Sequence, residues 1–227
     1  MTLVVFSEAN TDDENGDADL LGLTRAALKA GLPVVRVASE AAAEGPLVGV
    51  DVPRGAWGVR FGTILSADAY AAFHAQAAAL GVRLLNSVDA HLDALEFDRT
   101  VARLEGLTPK TRVVREVAEV AAAVEALGLP LFVKGSVASR KWYGWKACVA
   151  ETAEEAEVLT AKLLKLSLHA RQKVMLRQVA PLRRSGTEYE RFPIAREYRL
   201  YALDGDVLAS GYYWPFGDPF GPPTPDD

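Results

Sequence analysis

LFVKGSVASRKWYGWKACV (Leu131–Val149) is the stretch from which the rest of the chain is read. It opens as an alternating strand, with Leu131 and Val133 on one face and Phe132 and Lys134 on the other. A second apolar run, WKACVA (Trp145–Ala150), is expected to pair with it. The loop between them begins with small residues, Gly135 to Ser139, and turns basic and aromatic with Arg140, Lys141, Trp142, Tyr143, Trp145 and Lys146. A lysine at a strand end beside such a loop is well placed for phosphate, and a small-residue loop can close over phosphates with its backbone N–H groups. GxxxxGK[ST] is absent, so this is not a Walker sequence. Three other readings stay open on these residues alone. Lys134 could be a strand-end side chain reaching for water. The loop could be an exposed hairpin tip whose aromatics cap the core. Trp142, Tyr143 and Trp145 could form a stacking platform for single-stranded nucleic acid.

Charge weighs against the last of these. The chain of 227 residues carries a formal net charge of −5. The segment Lys134 to Arg199 holds 14 basic and 7 acidic residues, a balance of +7 that leaves −12 for the remainder. Non-specific nucleic-acid affinity is built from many phosphate contacts, whereas a small phosphorylated ligand suits one local basic segment. The lone Cys148 cannot form an internal disulfide, and His74, His91 and His169 lack metal-ligand spacing. The apolar runs fall far short of the roughly 20 residues that cross a bilayer, and no stretch resembles a signal peptide, so a cytoplasmic location is expected.

Outward from the opening stretch, the first third reads as strands alternating with helices. LVVF (Leu3–Phe6) and PVVRVA are strands, and the helix between them ends at Gly31. The acidic stretch EANTDDENGDAD (Glu8–Asp19) reads as a solvated loop ahead of that helix, its last acids favoured by the helix dipole. After a Gly/Pro-rich connection (Gly45 to Gly58), SADAYAAFHAQAAALG is a helix capped by Ser66, and VRLLN is a further strand. Crossover helices between strands predict a parallel sheet. From Asp98 the order becomes a short helix, a strand in TPKTRVV, a helix, the two strands of the opening stretch, and a helix whose Thr152 and Glu155 form a capping box. VMLRQVA is another strand, and REYRLYALDGDVLASGYYWP is a hairpin turning at Asp204-Gly205. PFGDPFGPPTPDD is too rich in Pro and Gly for regular structure. In AREYRLY, period-2 alternation puts Glu197, Arg199 and Tyr201 on one face. Such a carboxylate and guanidinium could hold a ribose or metal and a phosphate, or form only a cross-sheet ion pair.

Taken in order, NSVDAHLDALEFDRTVARLEGLTPKTRVV, LFVKGSVASRKWYGWKACV, VMLRQVAPL and IAREYRLYALDGDVLASGYYWP (Asn86 to Pro215) resemble the ATP-grasp superfamily. The resemblance is closest to the clade named for two arginines and a lysine, and the preceding VRFGTILSADAYAAFHAQAAALGVRLLNS extends it. It implies an α/β fold, α+β in the nucleotide-binding part. Residues 1–95 would be a Rossmann-like pre-ATP-grasp domain, 96–173 the linker and small subdomain, and 174–227 the start of the large subdomain. Lys134 matches the lysine that contacts the ATP α- and β-phosphates. Gly135 to Gly144 corresponds to the phosphate-covering loop, with Lys141 and Lys146 as helpers. Arg177, Gln178 and Val179 fall on the hinge strand whose backbone binds adenine. Glu197 and Arg199 match an acidic-x-Arg strand, with Arg199 facing the γ-phosphate and Glu197 toward metal, and Arg60 is expected to bind a substrate carboxylate.

By that resemblance the chain is an ATP-dependent carboxylate–amine ligase acting through an acyl-phosphate, with ATP, Mg²⁺ and small-molecule carboxylate and amine partners, and neither nucleic acid nor membrane. Two features depart from the pattern. Asp98-Arg99 stands where relatives have Asp-Lys, and the sequence reaches Asp227 without the acidic-x-Asn strand that binds Mg²⁺. The second leads us to expect an incomplete large subdomain, and keeps open a nucleotide-binding protein without ligase activity.

Overall fold

The fold is described from a computed structural model covering residues 2–8, 17–37, 47, 51–189, 191–203, 205–214 and 217–219. Most of the acidic stretch after Glu8, part of the Gly/Pro-rich connection, Asp204 of the expected turn and most of the tail from Pro215 lie outside the described residues. The chain divides into two compact units, Met1–Arg99 and Thr100–Asp227.

In the first unit, β1 (Leu3–Ser7) carries the buried residues Val4, Val5 and Phe6. Asp17 caps α1 (Ala18–Lys29) by accepting the Leu20 N–H at 2.9 Å, which satisfies one of the orphan donors at a helix start. Thr24 on this helix shares a buried hydrogen bond of 2.7 Å with Ser7, docking α1 on β1. β2 (Val34–Arg36) and β3 (Trp57–Phe61) flank β1. The strand β3 is not legible in the sequence, because Gly58 interrupts the apolar run beside a turn-rich connection. Tertiary packing demands that glycine: a Cβ there would lie 2.7 Å from Val82 Cγ1 and 3.0 Å from Leu84 Cδ2. Ser66 caps α2 (Ala67–Ala79), as expected, and β4 (Arg83–Leu84) completes a parallel sheet of order β2-β1-β3-β4. Ser87 caps α3 (Val88–Leu95), and α4 (Phe97–Thr100) follows. Arg99, the residue that departs from Asp-Lys, donates to Asp93 on α3 at 2.7 Å.

The second unit is built on an antiparallel sheet of order β5-β8-β6-β7. Its elements in chain order are β5 (Thr111–Val114), α5 (Val120–Leu127), β6 (Leu131–Gly135), β7 (Val149–Ala150), α6 (Ala153–Leu164), α7 (Ser167–Ala170) and β8 (Val174–Gln178). The helices bury Val120, Leu127, Leu159 and Leu163 against Leu131, Val133, Val174 and Leu176. Thr152 and Glu155 form the expected capping box on α6. The expected strand WKACVA shortens to Val149–Ala150. Trp145–Ala147 winds into a 3₁₀ turn, with the Trp145 N–H held by the Arg191 carbonyl at 3.0 Å. The expected division at 173/174 falls just before β8, which pairs on both sides within this sheet. Two antiparallel pairs follow: β9 (Arg184–Tyr189) with β10 (Phe192–Ala195), and β11 (Tyr198–Leu203) with β12 (Asp206–Tyr212). The first of these pairs was hidden in the sequence by Gly186 and Pro193, residues that weaken a strand reading.

Candidate functional site

The alternation of β6 sends Leu131 and Val133 into the core and turns Lys134 into a cavity of about 400 Å³. Gly135 is required immediately after it, because any Cβ there would run into the His169 carbonyl of α7. The small residues that follow are anchored on the same spot. Val137 and Ala138 donate their N–H groups to that carbonyl at 2.9 and 3.2 Å, and the N–H of buried Ser136 reaches the Lys173 carbonyl at 3.1 Å. The small-residue run therefore serves close packing at its base.

Of the residues expected at the site, Lys134, Lys141, Arg177, Gln178, Val179 and Glu197 line this one cavity. Burial, then the charges of Arg177 and Lys141, hold the Lys134 ammonium down at about 8. Burial also lowers the Arg177 guanidinium, whose Nη2 donates to Thr108 Oγ1. Gln178 spends its side chain on the Leu127 carbonyl (2.8 Å) and its backbone N–H on the Lys110 carbonyl (3.0 Å). Arg177 pairs with Phe132 and Thr111, so Val179 is the first of the three hinge residues beyond the strand ladder.

Lys141 Nζ lies 3.5 Å from Glu197 Oε1 and sits over the rings of Phe192, Tyr213 and Trp214. Glu197 Oε2 is buried and has no hydrogen-bond partner among the described residues. Charged oxygens are costly to leave in that state, so it is a ready donor for a cation. Mg²⁺ is commonly held by one or two carboxylates plus phosphates and water, and Glu197 fits such a role. Among the described residues no cluster of three His, Cys, Asp or Glu side chains forms.

Two expected residues do not reach the cavity. Lys146 is exposed on the 3₁₀ turn, where its neighbours Trp145 and Cys148 take the inward positions. Arg199 is exposed on β11 with its guanidinium 5.1 Å from the Tyr213 ring. Glu197 precedes β11, so pleat alternation does not hold it to the side of Arg199. The loop aromatics also divide: Trp145 packs against the cluster around Phe192, whereas Trp142 and Tyr143 are 69% and 68% exposed, Trp142 meeting Tyr189 edge-on at 5.9 Å and Tyr143 lying under the Arg140 guanidinium. Sequence reasoning missed Arg184, Phe192 and Tyr213 on the cavity wall. The YYW run was the one signal present for an aromatic wall.

Arg60 belongs to the first unit, in a separate cavity of about 170 Å³ near Tyr70, Asn86 and His91. It follows the carboxyl-end rule for parallel sheets, since Glu8 leaves β1 and Gly62 leaves β3 where the strand order reverses. The guanidinium is already engaged. Nη2 pairs with Glu8, Nη1 donates to the Thr63 carbonyl at 2.7 Å, and Thr63 N and Oγ1 donate to Glu8 Oε2 at 2.8 and 2.9 Å. Burial lowers its proton affinity, with Tyr70 acting in the opposite sense.

No protein-family model matches the sequence, and no curated protein matches it. Among solved structures the chain is similar to a RimK domain protein ATP-grasp from Sphaerobacter thermophilus DSM 20745, at 16% identity and a TM-score of 0.51 over 81% of this chain and 65% of that one. It is similar to the D-cycloserine synthetase DcsG at 21% identity and a TM-score of 0.50, over 79% of this chain and 60% of that one. It is also similar to the ATP-grasp ligase PsnB complexed with minimal precursor, Mg and ADP, at 13% identity and a TM-score of 0.51, over 92% of this chain and 71% of that one. The chain thus spans less than two thirds of the length of the first two.

Proposed function

Because this chain has the ATP-grasp fold, we propose that it binds ATP in the cavity of its second unit and uses it to join a carboxylate to an amine. The observation that carries this reading is the convergence of Lys134, Lys141, Arg177, Val179 and Glu197 on one cavity. Its size falls within the range of small-molecule sites. Val179 would present backbone to the adenine, and Lys134 and Lys141 would meet phosphate. In the reaction so inferred, a substrate carboxylate oxygen attacks the γ-phosphorus and the bond to the β-phosphate oxygen breaks, releasing ADP. The amine nitrogen then attacks the acyl carbon, the carbon–oxygen bond to phosphate breaks, and the nitrogen loses a proton. The chain's contribution is positioning and charge neutralisation of the transferring group. Mg²⁺ would neutralise phosphate charge, and Glu197 is the residue that would hold it. Arg199 would reach the γ-phosphate only by leaving the position it holds over Tyr213. Arg60 would serve a substrate carboxylate only by exchanging a partner it already has. A cytoplasmic location, where ATP is available, suits such a function, and no described helix is long and apolar enough to cross a membrane.

Hydrogen bonds to charged groups contribute roughly 1.5 to 3 kcal/mol each, so Lys134→Ala is expected to weaken ATP binding by about ten- to a hundredfold. Isothermal titration of the full chain measures this directly. Unchanged affinity would remove Lys134 from the phosphate site, and no ATP binding by the parent chain would remove the reading itself.

A further inference from the structure

The surroundings of Lys141 carry a chemistry that phosphate binding does not use. Its Nζ lies 3.5 Å from Glu197 Oε1 and 5.2, 5.4 and 5.7 Å from the ring centroids of Phe192, Tyr213 and Trp214. One carboxylate with three π-faces around it selects an ammonium group. The rings attract a cation that sheds water readily, and the Glu197 oxygen they share with Lys141 is Oε1, so that Oε2 is the one left for a hydrated divalent ion. The walls and the occupant also differ in support. Phe192 and Trp214 are buried in one aromatic cluster, 6.2 Å apart between centroids, and Tyr213 meets Trp214 edge-on at 5.5 Å. Lys141 comes from the loop, between Arg140 and the exposed Trp142, and its side chain keeps 28% of its surface in water. The box is thus part of the packed body, and its ammonium is supplied by a segment outside it.

We propose that Glu197, Phe192, Tyr213 and Trp214 form an ammonium subsite, which Lys141 occupies in this structure and which the primary amine of a substrate takes when Lys141 is withdrawn. The proposal rests on the reading of this cavity as the site of a carboxylate–amine ligase, and it names the amine as a primary alkylamine that enters as its ammonium form, gives up one proton before its nitrogen attacks and loses a second after the carbon–nitrogen bond forms. Lys141 is then an internal competitor for that amine.

The test uses the full chain and n-butylammonium chloride as the probe, titrated by calorimetry. Lys141→Met keeps all but the terminal atom of the side chain and removes its charge, and it should bind butylammonium at least about tenfold more tightly than the parent, a difference of about 1.4 kcal/mol. Adding Glu197→Gln to Lys141→Met should return the affinity to the parent level or below. Adding Tyr213→Leu instead tests the aromatic side through a ring that is 42% exposed and so can be altered with little disturbance of the core. It should lower the affinity severalfold. Equal affinity in the parent and Lys141→Met overturns the proposal, as does full retention of binding in both double variants. ATP titrated into the same samples separates the two ideas. ATP binding without a gain for butylammonium sinks the subsite alone, and a gain for butylammonium in a chain that binds no ATP sinks the nucleotide reading alone.

Discussion

Each unit of this chain holds an Arg or Lys against a glutamate, and the two pairs are built for different work. In the first unit, Glu8 and Arg60 leave only 4% and 7% of their side-chain surface in water, and both Glu8 oxygens are engaged. The loop is shaped around them: a Cβ on Gly62 would collide with the Glu8 carboxylate. In the second unit, Lys141 and Glu197 keep 28% and 27%, sit at the looser distance of 3.5 Å, and leave Glu197 Oε2 without a hydrogen bond among the described residues. A dry pair with every acceptor used resists exchange, because either partner alone would be a buried uncompensated charge. A half-wet pair with an orphaned oxygen can trade one cation for another at small cost. Glu8–Arg60 is thus the more tightly packed of the two pairs, and Lys141–Glu197 is the pair on which the proposed amine exchange rests.

Removing Glu8 is the harshest test of that contrast. Glu8→Ala leaves Arg60 charged in a dry site and should cost about 3 to 5 kcal/mol, read as a lowered urea midpoint by circular dichroism. If the loss stayed below 1 kcal/mol, Arg60 would be reachable by water or by ligand after all, and a direct substrate role for it would gain ground.

Lys134 comes next in size, and its effect depends on pH. Its folded value of about 8 lies below the ordinary 10.5, with burial as the main cause. The unfolded chain therefore holds more protons between those values, and the contribution of Lys134 to stability rises with pH across that window. Binding runs the other way. A phosphate beside Lys134 favours its charged form, so the affinity it supplies is complete below about pH 8 and is lost as pH rises through the higher value it takes in the complex. ATP titrations at pH 7 and pH 9.5 should show a severalfold loss in the parent chain, and Lys134→Met should flatten the profile. A parent profile as flat as that of the variant would mean that Lys134 is not the group facing phosphate.

How far these features could be read beforehand depends on the range of the interactions that produce them. The caps at Ser66 and Thr152 were legible because a side chain and the N–H it accepts lie three residues apart. Lys134 was legible for the same reason, since strand alternation and a following glycine are local. The strand β3 was not, because Gly58 looks like a breaker until Val82 and Leu84 are seen against it. Nor was the placement of Arg199. The rule that paired it with Glu197 assumes one continuous strand, and β11 begins at Tyr198. The aromatic walls of the cavity come from β10 and the end of the last hairpin, and only tertiary structure shows that Lys141 lies among them.

Lys141→Gln removes the partly wet pair, and exposed pairs contribute about 0.2 to 1 kcal/mol, so its urea midpoint should shift far less than that of Glu8→Ala. The orphaned Glu197 oxygen narrows this further. With the ammonium gone, water reaches the carboxylate from the side Lys141 had covered, and the cost of its burial falls. Part of the lost attraction is thereby offset, and the variant should unfold within 1 kcal/mol of the parent. A loss as large as that of Glu8→Ala would show that Lys141 holds the loop to the body as a structural tie, and the division of labour between the two pairs would fail.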